Sequence, residues 1–279
     1  MHPLKETLDT FYRDYDFNER IKHDPIEFPR RYSDPGDIEI AGFIASCFAY
    51  GRVELLKSVI EKILSPGGKH PAQFIKSFSL KSDRKYFSGI SYRFNQEVDI
   101  LCLLYMLRQT LDEWGSLKNL FNHYYRHEHE DIGPALTGFV NYFMNINTSP
   151  VYGRNIRPPG LLQLLSSPEK GSACKRLNLF LRWMVRTKDI DLGIWDNVLP
   201  SELIIPLDTH IARISRCLGL TKRTASDWKT AKDITVALKK FDPGDPLKYD
   251  FALCHKGISG MCKGRKLKGV CLACPFFVP

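Results

Sequence analysis

Apolar residues recur at helical spacing along most of the chain. The clearest case runs from Val98 to Trp114, where Leu101, Leu104, Leu107 and Leu111 follow one another at intervals of three or four residues. Such spacing places the apolar side chains on one face of an α-helix. No segment combines the alternation of a strand with a hairpin turn. The pattern therefore predicts an all-α fold.

Glycine, proline and polar residues divide this pattern into helices of ordinary length. The apolar-rich segment from Ile38 to Leu64 is predicted to form two helices that meet at Gly51, and Ser65-Pro66-Gly67-Gly68 ends the second one. Other helices are predicted over Pro3 to Tyr15, Pro71 to Phe78, Ser116 to His123, Pro134 to Asn145, Leu161 to Leu165, Ala173 to Arg186, Thr209 to Leu218, Ala225 to Phe241 and Pro246 to Gly257.

The segment from Thr148 to Gly160 is loop-like, since it contains three prolines and two glycines. It marks the boundary between two lobes of one helical domain. We expect an N-terminal helix and loop over residues 1–35 and the helical domain over residues 36–279. Its lobes are predicted at about 36–150 and 151–253, with a cysteine-rich loop over 254–279.

The overall composition is that of a soluble globular protein, with 43% hydrophobic and 25% charged residues. No run of 18 apolar residues is present, and the charged start of the chain lacks the apolar core of a signal peptide. We expect a cytoplasmic, nucleoid-associated monomer without a membrane partner. The net charge of +9 favours a polyanionic partner such as nucleic acid.

The segment from Ile204 to Arg213 contains the first candidate for catalysis. Asp208 follows an apolar stretch and directly precedes an amphipathic helix, so one interpretation is an N-cap that accepts backbone hydrogen bonds. The segment also resembles the Val-Asp-Thr-His-Val-x-Arg signature of the helix-hairpin-helix DNA glycosylase superfamily, which includes endonuclease III. This resemblance implies a two-lobed helical fold, duplex DNA with a flipped base as the partner, and Asp208 as the catalytic carboxylate. The ionised group would stabilise the cationic sugar that forms as a base departs.

A glycosylase that is also a lyase needs an amine to form a Schiff base with the sugar. The candidates upstream of Asp208 are Lys170, Lys175 and Lys188. Lys175 precedes Asp208 by 33 residues, which is similar to the long interval in the archaeal 8-oxoguanine DNA glycosylase branch, so the resemblance implies Lys175. The family hairpin Leu-Pro-Gly-x-Gly is degenerate here, Ser167 to Gly171, and Lys170 stays a rival. Without a lysine, Asp208 would activate water.

Lys175 is predicted to lie on a basic face of its helix. At about 100° per residue, it shares one stripe with Asn178, Arg182 and Arg186. Arg176 points towards the apolar side of the same helix and needs a buried partner.

Four of the eight cysteines lie within the last 26 residues, in the pattern Cys254-x7-Cys262-x8-Cys271-x2-Cys274. This crowding is typical of a metal site, and unrelated buried thiols are the alternative. The resemblance implies an iron–sulfur cluster at this place, although endonuclease III-like proteins use the spacing Cys-x6-Cys-x2-Cys-x5-Cys. Four thiolates suit either a [4Fe–4S] cluster or Zn. His255 is an alternative to Cys254 as a ligand.

Aromatic and basic residues supply candidates for nucleic-acid contacts by stacking on bases or binding phosphates. Two segments, Ala49 to Arg52 and Tyr92 to Asn95, combine both residue types. Packing and surface positions are the alternative interpretation. The candidates are Tyr50, Arg52, Arg93, Arg176, Arg182, His210 and Arg213.

The resulting hypothesis is a DNA-repair enzyme, a base-excision glycosylase with AP lyase activity. The whole chain is also similar to a bacterial family of this superfamily for which no substrate is known. Two other hypotheses stay open. One is a non-catalytic nucleic-acid-binding protein of the same fold, and the other is a glycosidase for modified nucleosides or RNA. The sequence does not specify the lesion.

Overall fold

The computed structural model describes residues 3–258 and residue 274, and within them the prediction of an all-α fold is confirmed. No strand occurs in these residues; two isolated bridges, Tyr92 with Asn95 and Ser172 with Asp227, are the only pairings of the β type there. None of the helices in the described part is both long and apolar enough to cross a membrane.

The described chain forms helices of 4 to 18 residues, joined by loops and short 3₁₀ turns. The helices are α1 (Pro3–Arg13), α2 (Phe17–Ile21), α3 (Pro35–Cys47), α4 (Val53–Leu64), α5 (Pro71–Ser77), α6 (Glu97–Trp114), α7 (Leu117–Tyr124), α8 (Gly133–Asn145), α9 (Ser149–Tyr152), α10 (Pro159–Leu164), α11 (Lys175–Val185), α12 (Thr209–Cys217), α13 (Trp228–Lys239) and α14 (Asp250–Ile258).

The predicted helices are present, and their ends differ by a few residues from the sequence-based bounds. The segment from Ile38 to Leu64 forms α3 and α4, and Gly51 at their junction has a φ of +88°, which favours glycine. Two short helices were not predicted. Helix α2 lies in the N-terminal loop, where Asp16 accepts a hydrogen bond from the backbone N of Glu19 at 3.0 Å, and α9 lies in the proline-rich segment.

Helix α3 is the centre of the core, and it is buried from Asp37 to Cys47 because other helices surround it. Its Phe43 ring lies 5.2 to 6.0 Å from the rings of Phe139, Phe143 and Phe180. Gly42 lets α11 approach closely, since a Cβ there would stand 2.9 Å from Met184 Cε. Helices α3 and α11 are thereby held in direct contact.

The buried apolar side chains form one continuous cluster, from Leu4 in α1 to Leu253 in α14. Helix α1 joins it through polar contacts as well. Tyr249 donates a hydrogen bond to Asp9 at 2.5 Å, and Lys248 lies 2.9 Å from the same carboxylate. The N-terminal helix therefore packs against the C-terminal part of the chain. The division into two lobes stays a prediction.

The charged stripe of α11 lies inside the protein, which corrects the prediction of a basic face. Arg182 is 2% exposed and pairs with Asp191 at 3.2 Å and with Asp250 at 2.5 Å. Arg186 is equally buried and pairs with three carboxylates, those of Asp189, Asp191 and Asp245. Arg182 is therefore not accessible to nucleic acid, because neighbouring carboxylates compensate its charge in the interior.

Candidate active site

Asp208 caps the N-terminus of α12, as the sequence predicted. Its Oδ1 accepts hydrogen bonds from the backbone N of His210 and of Ile211, both at 2.8 Å. The preceding residues 203–207 are buried, so the apolar stretch anchors the carboxylate at a fixed place. One oxygen of the half-buried Asp208, Oδ1, is thus hydrogen-bonded to its own helix, and the other oxygen, Oδ2, contacts a different helix.

The second oxygen of Asp208 contacts α14. Cys254 Sγ donates to Asp208 Oδ2 at 3.5 Å, within the usual range for a sulfur donor. The two helices are in close contact one turn further along, where a Cβ on Gly257 would stand 2.7 Å from His210 Cβ. Arg213 Nη2 also donates to the carbonyl of Gly257 at 2.9 Å. The Cys254–Asp208 contact therefore rests on a tightly packed helix pair.

The electrostatic surroundings keep the Cys254 thiol protonated. Burial raises the pKa of Cys254 well above its ordinary value, and the negative charges of Asp208 and Asp250 raise it further, while the charge of Lys175 acts in the opposite direction. Cys254 is therefore a neutral hydrogen-bond donor to Asp208.

Lys175 is the first residue of α11, and it is half-buried. Its Nζ donates to the carbonyl of Ala49, just beyond α3, at 2.9 Å. The two rival lysines, Lys170 and Lys188, have exposed side chains. The structure therefore holds the amine of Lys175 against the end of α3, and it leaves the two rival lysines exposed.

An aromatic and basic cluster lies directly beside Ala49. We define the Tyr50 cluster as Tyr50, Tyr92, Arg93, Phe94 and Arg176. The Tyr50 hydroxyl donates to the Tyr92 carbonyl at 3.1 Å, and the Tyr92 hydroxyl donates back to the Tyr50 carbonyl. The guanidinium of Arg176 lies 5.1 Å from the centre of the Tyr50 ring, and that of Arg93 lies 5.9 Å from it. Such distances are typical of cation–π contacts.

A tight turn presents two residues of this cluster to solvent. Tyr92 and Asn95 exchange two backbone hydrogen bonds of 2.9 Å, and the Asn95 side chain donates to the Gly160 carbonyl at 2.6 Å. At the tip, Arg93 adopts a φ of +53° and the Phe94 ring is 63% exposed. The sequence identifies this segment as a candidate contact but does not single out Phe94, because the exposure of its ring follows from the turn.

The other predicted nucleic-acid contacts occupy different environments. Arg52 is exposed at the start of α4, whereas His210 and Arg213 are half-buried beside α14. Arg176 is half-buried, and its Nη1 lies 3.4 Å from the carbonyl oxygen of Cys47. This contact and the Tyr50 ring supply the partner that its position on the apolar side requires.

The structure describes two of the four cysteines of the predicted metal site. Cys254 contacts Asp208, Cys274 is half-buried, and Cys262 and Cys271 lie outside the described residues. Residues 3–258 with residue 274 contain no group of three or more histidine, cysteine or acidic side chains suited to a metal ion. His255 Nε2 lies 3.4 Å from Asp24 Oδ2. The metal site stays a prediction.

The fold and the site define an all-helical protein in which a capping carboxylate contacts a thiol and a half-buried lysine begins α11. A family model described as a protein of unknown function (DUF2400) matches residues 24–259. Since this match covers most of the chain, the protein belongs to that family. The matched region includes Lys175, Asp208 and Cys254, and it ends before Cys262. Neither a curated protein nor a solved structure matches the chain.

Asp250 gives the site a pH dependence with a definite sign. Burial raises the pKa of Asp250 from 3.8 to about 6, against the lowering effect of Arg182, and Asp208 and Asp191 raise it further. Between about pH 4 and pH 6 the folded protein binds a proton at Asp250 that the unfolded chain has lost, so this group's contribution to stability falls as the pH rises.

We expect the free energy of unfolding of the wild type, measured against Asp250→Asn, to fall across this window. The decrease has an upper limit of about 1.4 kcal/mol per pH unit. Urea denaturation of both proteins at pH 4, 5, 6 and 7 measures it. A difference between the two proteins that stays constant from pH 4 to 6 would contradict the raised pKa.

Proposed function

We propose that this protein is a DNA base-excision glycosylase with AP lyase activity. The observations that support it most are the fixed carboxylate of Asp208, which caps α12 and contacts Cys254, and the charge of Lys175, which acts on the same thiol. An amine and a carboxylate are the two groups that a Schiff-base glycosylase needs. The match between Asp208 to Arg213 and the signature of the glycosylase superfamily points to the same chemistry.

In this proposal Lys175 first gives up its ammonium proton to solvent, and the neutral amine attacks the anomeric carbon of a flipped nucleotide. A new C–N bond forms, and the glycosidic bond breaks as the base leaves with its electron pair. The departing base takes up the proton that the attacking nitrogen releases. The Asp208 carboxylate lies where its charge stabilises the positive charge that develops on the sugar. Opening of the sugar ring then gives the Schiff base, from which the strand is cleaved. Asp208 acts electrostatically, so it stays ionised throughout.

The Tyr50 cluster is the proposed contact with DNA. It adjoins the candidate nucleophile, because Lys175 donates to the carbonyl of Ala49, the neighbour of Tyr50. Exposed aromatic rings stack on unpaired bases, and guanidinium groups bind phosphates. Phe94 and Arg93, at the tip of the turn, are suited to fill the space that a flipped base leaves. The net charge of +9 favours the duplex as a whole.

Helices α10 and α11 are the proposed helix-hairpin-helix element. They are joined by a 3₁₀ turn at Pro168–Lys170 and by Gly171, whose φ is +76°. We assign the metal, a [4Fe–4S] cluster or Zn, to the cysteines at the end of the chain. Thiolates such as that of Cys274 would hold it and pin a basic loop near the phosphates. The glycosylase chemistry itself needs no contribution from it.

The proposal predicts that Asp208→Asn abolishes base release while leaving α12 capped. Asparagine is as good an N-cap as aspartate, so the cap is kept, while the charge and the oxygen that accepts from Cys254 are lost. We expect the rate on duplex oligonucleotides with one damaged base to fall by about a hundredfold or more. Asp34→Asn is the matched control, since Asp34 caps α3 through the backbone N of Gly36 and Asp37.

Base release is measured on duplexes that carry 8-oxoguanine, uracil or an oxidised pyrimidine, with free modified nucleosides and RNA in parallel. Release from one duplex by the wild type and by Asp34→Asn, and none by Asp208→Asn, supports the proposal. Turnover of nucleosides or RNA alone would favour the alternative glycosidase. Tight duplex binding without release of any base would favour a non-catalytic binding protein.

The exposed Phe94 ring is predicted to contribute to DNA affinity. Stacking of one base on an aromatic ring contributes about 1–3 kcal/mol, so Phe94→Ala should weaken binding to a duplex with an abasic site about tenfold or more. Tyr86→Ala is the control, because that ring is 51% exposed and lies outside the Tyr50 cluster. Equal effects of the two substitutions in fluorescence anisotropy would contradict a specific role for the turn.

A further inference from the structure

The carboxylate of Asp208 is held at both oxygens, by two different parts of the chain. Oδ1 accepts from two backbone amides of α12, and Oδ2 accepts from the Cys254 thiol in α14. The amides fix Oδ1, and the contact of Oδ2 with Cys254 resists rotation of the carboxylate group. Cys254 is therefore placed to set the orientation of the carboxylate plane.

The backbone geometry makes this contact a stable one. Cys254 and Gly257 are three residues apart in α14, so they lie on the same helix face. At Gly257 the absent Cβ allows α14 to lie against His210, and Arg213 holds the Gly257 carbonyl at 2.9 Å. The register of α14 against α12 is thus fixed one turn away from the thiol.

We propose that Cys254 is a positioning residue for Asp208 and not a metal ligand, a role that rests on the proposed function. Its S–H donates to Oδ2 and holds the carboxylate in one rotation. Oδ1 accepts two hydrogen bonds already, so the lone pair left for the reacting sugar is the second one of Oδ2. A thiol suits this task because it is a weak, neutral donor. A cation in the same place would neutralise much of the charge on which the reaction depends.

The alternative role as a metal ligand does not fit the surroundings of Cys254. A metal ligand must be a thiolate, and the proton that it would lose is the one in the contact with Asp208.

The test compares Cys254→Ala and Cys254→Ser with the wild type, and Cys274→Ala serves as the reference for loss of a metal ligand. Cys254→Ala should lower kcat about tenfold with KM unchanged, since a displaced reacting group slows the chemical step. Cys254→Ser keeps a donor and should recover most of the rate. Metal content should fall in Cys274→Ala and stay at the wild-type level in Cys254→Ala.

A double-mutant cycle measured as Tm tests the contact between Cys254 and Asp208 without an activity assay. The loss of Tm in the double variant should be smaller than the sum of the losses in Cys254→Ala and Asp208→Asn, because the two single substitutions remove the same hydrogen bond. Metal loss in Cys254→Ala equal to that in Cys274→Ala would overturn the inference, and so would an unchanged kcat or fully additive Tm losses. An inactive wild type would overturn the proposed function, and the cycle alone would then decide the positioning role.

Discussion

The ion pair between Arg182 and Asp250 links the helices on which the candidate site depends. Arg182 lies in α11, whose first residue is Lys175, and Asp250 begins α14, which carries Cys254. Helix α14 in turn packs on α12, which Asp208 caps. One buried charge pair and one close helix contact therefore connect the helix of the candidate nucleophile to the helix that the candidate carboxylate caps.

This arrangement has an energetic cost that the surrounding groups offset. Arg182 and Arg186 face four carboxylates, those of Asp189, Asp191, Asp245 and Asp250. Removing charges from water is expensive, and the pairs regain the cost only with good geometry. Burial raises the pKa of Asp250 and of Asp191 in this cluster. The negative charge of Asp208 raises the pKa of Asp250 further, which links the cluster to the candidate site.

The sequence predicted what depends on local interactions. Helical spacing gave the helices, and the apolar stretch before Asp208 predicted the N-cap, because a capping carboxylate is recognised from its immediate neighbours. The long-range pairs were not predictable in this way. Arg182 was interpreted as an exposed phosphate contact, since its partners come from residues 191 and 250, which a single helix pattern does not reveal.

The contact of Cys254 with Asp208 is a second long-range interaction that the local sequence pattern does not reveal. The spacing of Cys254 from Cys262, Cys271 and Cys274 predicts a shared metal site, which stays a prediction, and spacing does not show which neighbour a helical side chain faces. The register of α14, set by Gly257, turns the thiol towards Asp208. Phe94 was passed over because only the turn from Tyr92 to Asn95 makes its ring exposed.

The most direct test of the account is borohydride trapping of the protein on duplex DNA that carries an abasic site or a damaged base. Lys175→Gln is compared with Lys170→Gln, which removes an exposed lysine five residues away. The account predicts a covalent protein–DNA adduct for the wild type and for Lys170→Gln, and none for Lys175→Gln. An adduct that persists in Lys175→Gln, or that depends on Lys170, would contradict the assignment of Lys175 as the nucleophile.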